Sequence, residues 1–145
     1  MSEIYKKVKE FKTKFRGGIS WRLKQHSQVI DKHLNPGEEV LYAFCGQKNF
    51  GPFEWCDTYI GAITNKRILF GHKNLLWGYV LSSITPDLYN DLQVFQGLIW
   101  GKVVIDTTKE KIVLTNLPKH SLNDIETNIS EYMMAQKKQY MREEN

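Results

Sequence analysis

The sequence predicts a mainly β fold with helices. We expect a seven-stranded antiparallel barrel or strongly bent sheet, capped by a C-terminal helix and preceded by a helical N-terminal extension. Three observations carry this. Residues 38–117 hold short runs rich in Val, Ile, Leu, Tyr, Phe and Trp, separated by Gly, Pro, Asn or Lys clusters, as antiparallel all-β chains do. From Leu122 onward one apolar stripe recurs at helical spacing. Residues 1–35 carry two further helical patterns. The 145 residues fit one domain of ordinary size, divided into an extension over 1–35 and a main domain over 36–141.

In the first helix Ile4, Val8, Phe11 and Phe15 fall within an arc of roughly 60° at about 100° per residue. Lys6, Lys9, Lys12 and Arg16 lie on the other side, and Ser2 suits the N-cap. Gly17-Gly18 should break the helix, since two glycines cost about 2 kcal/mol relative to alanines. Ile19, Leu23, His26, Ile30 and Leu34 mark a second helix, which Asn35-Pro36-Gly37 stops. Trp21 points away from that face. Strands are expected at 40–47, 58–64, 67–72, 75–81, 84–94, 99–106 and 111–117, with tight turns at Thr64-Asn65-Lys66 and at 107–110. Pro86 restricts the fifth to an edge, a bulge or a strand start. In the last helix Ser121 and Asp124 resemble a capping pair. Leu122, Ile125, Ile129, Tyr132, Met133, Gln136 and Tyr140 form its stripe, and the polar tail from Lys137 should fray.

The net charge is +4, but its distribution is uneven. Residues 1–35 hold nine Lys or Arg against three acidic residues, while 36–117 and 118–145 are each acidic by one. A basic start of this kind faces something acidic or stands in solvent. No stretch approaches the roughly 20 apolar residues of a membrane span, and the lysine-rich start is no secretory signal. Cys45 and Cys56 form no disulfide framework, and the expected location is cytoplasmic, or peripheral at the inner membrane face. The four histidines are scattered, so no metal site and no cofactor are expected.

Certain segments resemble a known family. "GEEVLYAF" at 37–44, "GAITNKRILF" at 61–70, "VLSSIT" at 80–85 and "VVIDTTKEKIVLTNLPKHSLNDIETNI" at 103–129 are similar to bacterial PH domains. Members of that family read as a strand ending Thr-Asn-x-Arg with an aliphatic-aromatic continuation. A segment ending in Ile-Thr or Ile-Ser follows, then a last hairpin feeding the final helix. The resemblance covers about 37–135. It implies a PH-like barrel acting as a non-catalytic module that binds lipid headgroups, peptides or copies of itself. Eukaryotic relatives that bind phosphoinositides place several cations on the first hairpin. Here 46–57 has only Lys48, against Glu54 and Asp57, which speaks against that ligand at that loop.

The candidate sites are therefore contact surfaces. Ile4, Lys6, Val8, Lys9, Phe11, Lys12, Phe15 and Arg16 could face a membrane or a partner, the stripe entering the headgroup boundary and the lysines meeting phosphates. Trp21, Phe50, Phe53 and Trp55 are further contact candidates. Lys66 and Arg67, at the joint of a hairpin, are a candidate anion contact or a structural corner. An Arg there would want an acidic partner or a carbonyl. The leading expectation is a binding or assembly module at an anionic membrane surface. The alternative is a soluble protein-binding or self-assembling module, and a second alternative is a nucleic-acid binder or an enzyme. No phosphate loop, Gly-x-Ser-x-Gly elbow or His-Glu-x-x-His is present. Cys56 and His72 lack a third group placed by sequence, and no small-molecule substrate is expected.

Overall fold

In the computed structural model, which describes residues 2–16, 20–47 and 58–143, two helices lead into seven strands and a third helix ends the chain. Helix α1 spans Glu3–Lys14 and α2 spans Leu23–Asp31. The strands are β1 (Val40–Gln47), β2 (Thr58–Thr64), β3 (Ile68–Lys73), β4 (Tyr79–Ile84), β5 (Tyr89–Gln96), β6 (Trp100–Thr107) and β7 (Lys111–Pro118). Helix α3 is Leu122–Glu143. The strands form one antiparallel sheet in the order β4-β3-β2-β1-β7-β6-β5. It bends between its β1–β4 and β5–β7 halves, which join where Gln47 meets Thr115. Leu122, Ile125, Ile129 and Met133 of α3 are buried in the core, as the predicted stripe requires.

Where boundaries differ from expectation, a local reason is visible. Residues 75–78 do not open the fourth strand. They make the β3–β4 turn, closed by the Asn74 N–H on the Gly78 carbonyl at 3.0 Å, with Gly78 at φ +81°. The fifth strand starts at Tyr89, because Pro86–Leu88 form a short 3-10 turn. Ser2 caps α1, accepting the Tyr5 N–H at 3.0 Å, but Ser121 is not a cap. Its hydroxyl donates to the Pro118 carbonyl at 2.6 Å, and Asp124 accepts the Tyr42 hydroxyl at 2.8 Å. Helix α2 begins only at Leu23, after Arg22 in the left-handed region. Helix α3 continues to Glu143, through the tail expected to fray. The break expected at Gly17-Gly18 lies outside the described residues.

The β1–β3 region is covered on both faces. Strand β2 is buried at every position and β3 at all but its last. Ile60 stands opposite Gly71, and a Cβ on Gly71 would sit 2.7 Å from Ile30 of α2. That face therefore lies under α2. The next pair, Gly61 and Phe70, belongs to the other face, where Phe44 packs 2.5 Å from the place a Gly61 Cβ would take. Continuous apolar runs such as "YIGAI" follow from this, since a strand covered on both sides needs no polar alternation. Ile4, Val8 and Phe11 are buried in the same core. The Phe11 ring lies 6.3 Å from Phe44 and 6.5 Å from Tyr42. Asp31, at the end of α2, accepts the Ser2 hydroxyl and the Ile4 N–H, which fastens the α1 N-terminus. Burial holds its carboxyl above the ordinary value despite those bonds.

Phe11→Ala should destabilise the whole chain by about 3–5 kcal/mol, the usual range for deleting a buried ring. Lys6→Ala, on the exposed side of the same helix, should stay within about 0.5 kcal/mol. Urea unfolding of both variants measures the difference. Equal, small effects would show α1 to be detached from the core.

Candidate functional site

The Thr64–Arg67 joint is a closed structural device. Thr64 Oγ1 accepts the N–H groups of Lys66 and Arg67, each at 3.1 Å, and donates to Glu38 Oε2 at 2.6 Å. The Arg67 side chain folds back over the turn. Its Nε donates to Glu38 Oε2 at 3.0 Å, and Nη2 donates to Glu38 Oε1 at 3.1 Å and to the His33 carbonyl at 2.8 Å. Nη1 donates to Ser83 Oγ at 3.0 Å. Four of the five guanidinium N–H groups are thus engaged. The Glu38 side chain is fully buried and also accepts the Asn35 N–H at 3.0 Å. Burial alone would push its carboxyl up. The bonds from Arg67, Asn35 and Thr64 outweigh that and hold it below the ordinary range. Arg67 thereby meets an acidic partner and a carbonyl, and its assignment as an anion contact is corrected. Lys66 remains exposed at the turn, without Arg67 as a second cation.

The N-terminal stripe is also accounted for by the protein's own core. Phe15 is only partly packed against the core, but with Ile4, Val8 and Phe11 buried the expectation that these three present a contact surface is corrected. The sheet needs them as its cover. Lys6, Lys9 and Arg16 stay exposed, and Lys12 is half-buried. Trp21 is exposed, with its N–H on Thr58 Oγ1 at 3.0 Å. Phe50, Phe53 and Trp55, with Cys56, lie outside the described residues.

Two hairpin turns carry the most exposed large apolar side chains among the described residues; sequence reasoning missed the first by placing 75–78 in a strand and the second by starting a strand at Ile99. In the β3–β4 turn Leu75, Leu76 and Trp77 are 79%, 80% and 78% exposed. In the β5–β6 turn the Gly97 N–H meets the Trp100 carbonyl at 2.9 Å, leaving Leu98 and Ile99 as the two central residues, 89% and 63% exposed. Turn centres favour Gly, Asn, Asp and Pro for backbone reasons, so no local need places Leu and Ile there. The signal was available: Leu-Leu-Trp-Gly at 75–78 and Leu-Ile-Trp-Gly at 98–101. The shared glycine has two causes. Gly78 supplies a positive φ, whereas a Cβ on Gly101 would lie 2.4 Å from Leu122.

The β5–β6 turn forms one wall of an open groove of about 660 Å³. Phe15, Leu98, Ile99, Trp100 and Pro118 give it apolar walls, and Lys14, Arg16, Lys119 and His120 give it a basic rim. Among the described residues no acidic side chain lines it. Asp124 stands at its flank, 3.5 Å from the Lys14 ammonium, which also lies 5.1 Å from the centre of the Phe15 ring. The end of α1, the β5–β6 turn and the approach to α3 thus bring together cations far apart in sequence.

A buried polar stack lies between α2 and the sheet. The rings of His26 and His72 are 4.6 Å apart, and those of His72 and Tyr59 are 4.8 Å apart. His26 Nδ1 accepts the Lys73 N–H at 2.8 Å, and His72 Nδ1 donates to the Thr58 carbonyl at 2.8 Å. Burial, then the neighbouring His72 and Arg22 charges, lower the His26 pKa to about 4, against an opposing contribution from the Trp21 backbone. Both rings are tied into strand backbone through Nδ1. Burial pushes the Cys45 thiol up to about 11, which makes it a poor nucleophile at neutral pH. Among the described residues no cluster of His, Cys, Asp and Glu is placed to hold a metal ion, and no helix is long and apolar enough to cross a membrane.

Comparison with known proteins gives a family match, described as bacterial PH domain, over residues 34–131. No curated protein matches the chain. Two similar solved structures come from Shewanella. One is a DUF1696 family protein with a pleckstrin-homology domain from Shewanella loihica PV-4, 12% identical, with a TM-score of 0.49 over 83% of this chain and 97% of that one. The other is a pleckstrin homology domain from Shewanella amazonensis SB2B, 13% identical, with a TM-score of 0.46 over 86% of this chain and 94% of that one.

Arg67→Ala should cost about 3–5 kcal/mol, because it strands a buried carboxylate. Arg67→Met combined with Glu38→Leu should recover much of the loss, and chemical denaturation of the two variants reads the difference. For His26, an unfolded imidazole binds its proton near pH 6.5, while the folded one waits until about 4. Between those values the unfolded chain holds more protons, so stability falls as pH drops through the window. The slope from this one group is at most about 1.4 kcal/mol per pH unit. Urea midpoints taken from pH 6.5 to 5 should decline in the parent and decline less in His26→Gln.

Proposed function

The chain belongs to the bacterial PH domain family, and from that premise we propose that it is a non-catalytic module that docks on the anionic face of a lipid bilayer. The observation that supports this is the joining of an apolar turn to basic side chains at the rim of one groove: Leu98 and Ile99 beside Lys14, Arg16, Lys119 and His120. Apolar surface alone would suit a protein partner, and cations alone would suit any polyanion. The combination fits the depth at which acyl chains meet phosphates. The two contributions are of like size. Full burial of Leu98 or Ile99 is worth roughly 1.5–3 kcal/mol, and each cation near an anionic surface adds about 1 kcal/mol. Lys6 and Lys9, exposed on α1, add to the same field, so the basic N-terminus takes part through its charges rather than its stripe. In this reading residues 1–35 are a helical cover on the 36–141 domain, and the protein is peripheral at the inner membrane face.

Flotation of the full chain should show binding to vesicles containing phosphatidylglycerol, weakened by salt, and none to phosphatidylcholine alone. Leu98→Ser with Ile99→Ser should abolish it, and Lys119→Ala should weaken it about fivefold. Absence of binding to anionic vesicles, or binding untouched by the Leu98/Ile99 pair, overturns the reading.

A further inference from the structure

The second apolar turn adjoins an open sheet edge. Strand β4 ends the strand order and is hydrogen-bonded to β3 on one side and to no described strand on the other. Such edges are usually guarded by charge, proline, a bulge or a covering element. From Leu75 to Thr85 this chain has no charged residue and no proline. β4 pairs with β3 in unbroken register from Ile84 to Tyr79, and residues 79–83 are exposed or half-exposed. The other edge, β5, differs. It carries Asp91 amid Asn90, Gln93 and Gln96, and α3 reaches it through the Lys137 ammonium on the Tyr89 carbonyl at 2.9 Å.

We infer that β4 and the Leu75–Trp77 turn form a homodimer interface, in which β4 pairs antiparallel with β4 of a second copy. Three arguments select that occupant. A bilayer could take up Leu75, Leu76 and Trp77, but it offers nothing to the unpaired N–H and C=O groups of a strand edge; another strand satisfies them. An uncharged strip selects no charged partner, and a strand pairing with itself about a two-fold axis is self-complementary by symmetry. The area also suffices. At their exposures, Leu75, Leu76, Trp77 and Tyr79 offer on the order of 500 Å² per copy, and the strand pairing adds to it, against about 800 Å² per partner in a standard interface. The groove beside Leu98 lies outside this surface, so a dimer leaves it open.

Light scattering after size exclusion, run on the full chain over a range of concentrations, should give a species of twice the 17.0 kDa chain mass. Leu76→Ser with Trp77→Ser, and separately Ser82→Lys, should run as monomers with cooperative melting retained. Leu98→Ser with Ile99→Ser should remain dimeric. A parent that stays monomeric up to its solubility limit overturns the proposal, as do turn and edge variants that still dimerise. So does a monomeric parent whose binding to phosphatidylglycerol vesicles depends on Leu76 and Trp77, which would make that turn a lipid contact. Dimer formation without vesicle binding would sink the membrane reading and leave this one standing.

Discussion

Strands β2 and β3 are apolar on both faces, and such a layer stays out of water only when both faces are covered. The bend of the sheet supplies one cover, from β5–β7 and the stripe of α3. The other has to come from outside the seven strands, and the first 35 residues provide it. Ile4, Val8, Phe11 and Ile30 are all buried at 4% exposure or less, Ile30 against that face and Phe11 beside Phe44 and Tyr42. This requirement fixes what the N-terminus does. A stripe that the sheet needs in order to fold is not free to enter a membrane, so the apolar part of any contact must be found elsewhere.

The Glu38–Arg67 pair shows the same economy among polar groups. It joins the end of α2 through the His33 carbonyl, the β2–β3 turn through Thr64, and β4 through Ser83. A carboxylate so buried is tolerable because it accepts four hydrogen bonds, from Arg67 twice, Asn35 and Thr64. Such a pair contributes little over a well-packed apolar one. Its effect is geometric, since only one mutual arrangement of α2, β1, β3 and β4 satisfies every donor. In this chain the Thr64–Arg67 element is thus engaged in holding neighbouring elements together.

With the stripe and the arginine absorbed by the fold, the most exposed apolar side chains among the described residues are those of the two turns that share Leu-(Leu/Ile)-Trp-Gly. Their surroundings separate them. The β5–β6 turn sits among basic residues from two parts of the chain, and the β3–β4 turn continues into an uncharged strand edge. Like apolar payloads therefore stand in different surroundings: basic side chains around one, and an uncharged strand edge beside the other.

The sequence by itself determined the architecture: seven short strands, a final helix whose stripe enters the core, and two helices before Gly37. Periodicity and turn residues are local quantities, and these elements obey them. It also held the Thr64–Arg67 joint and its need for an acidic partner, because an arginine beside a buried face must be neutralised. What it could not fix was which apolar residues face inward. Ile4–Phe15 and Leu98–Ile99 look alike as hydrophobic runs, yet one covers a sheet and the other stands in water. Burial depends on what another part of the chain brings alongside, so only the tertiary structure decided it. The basic rim is of the same kind, for Lys14, Arg16, Lys119 and His120 meet only after the chain has closed on itself.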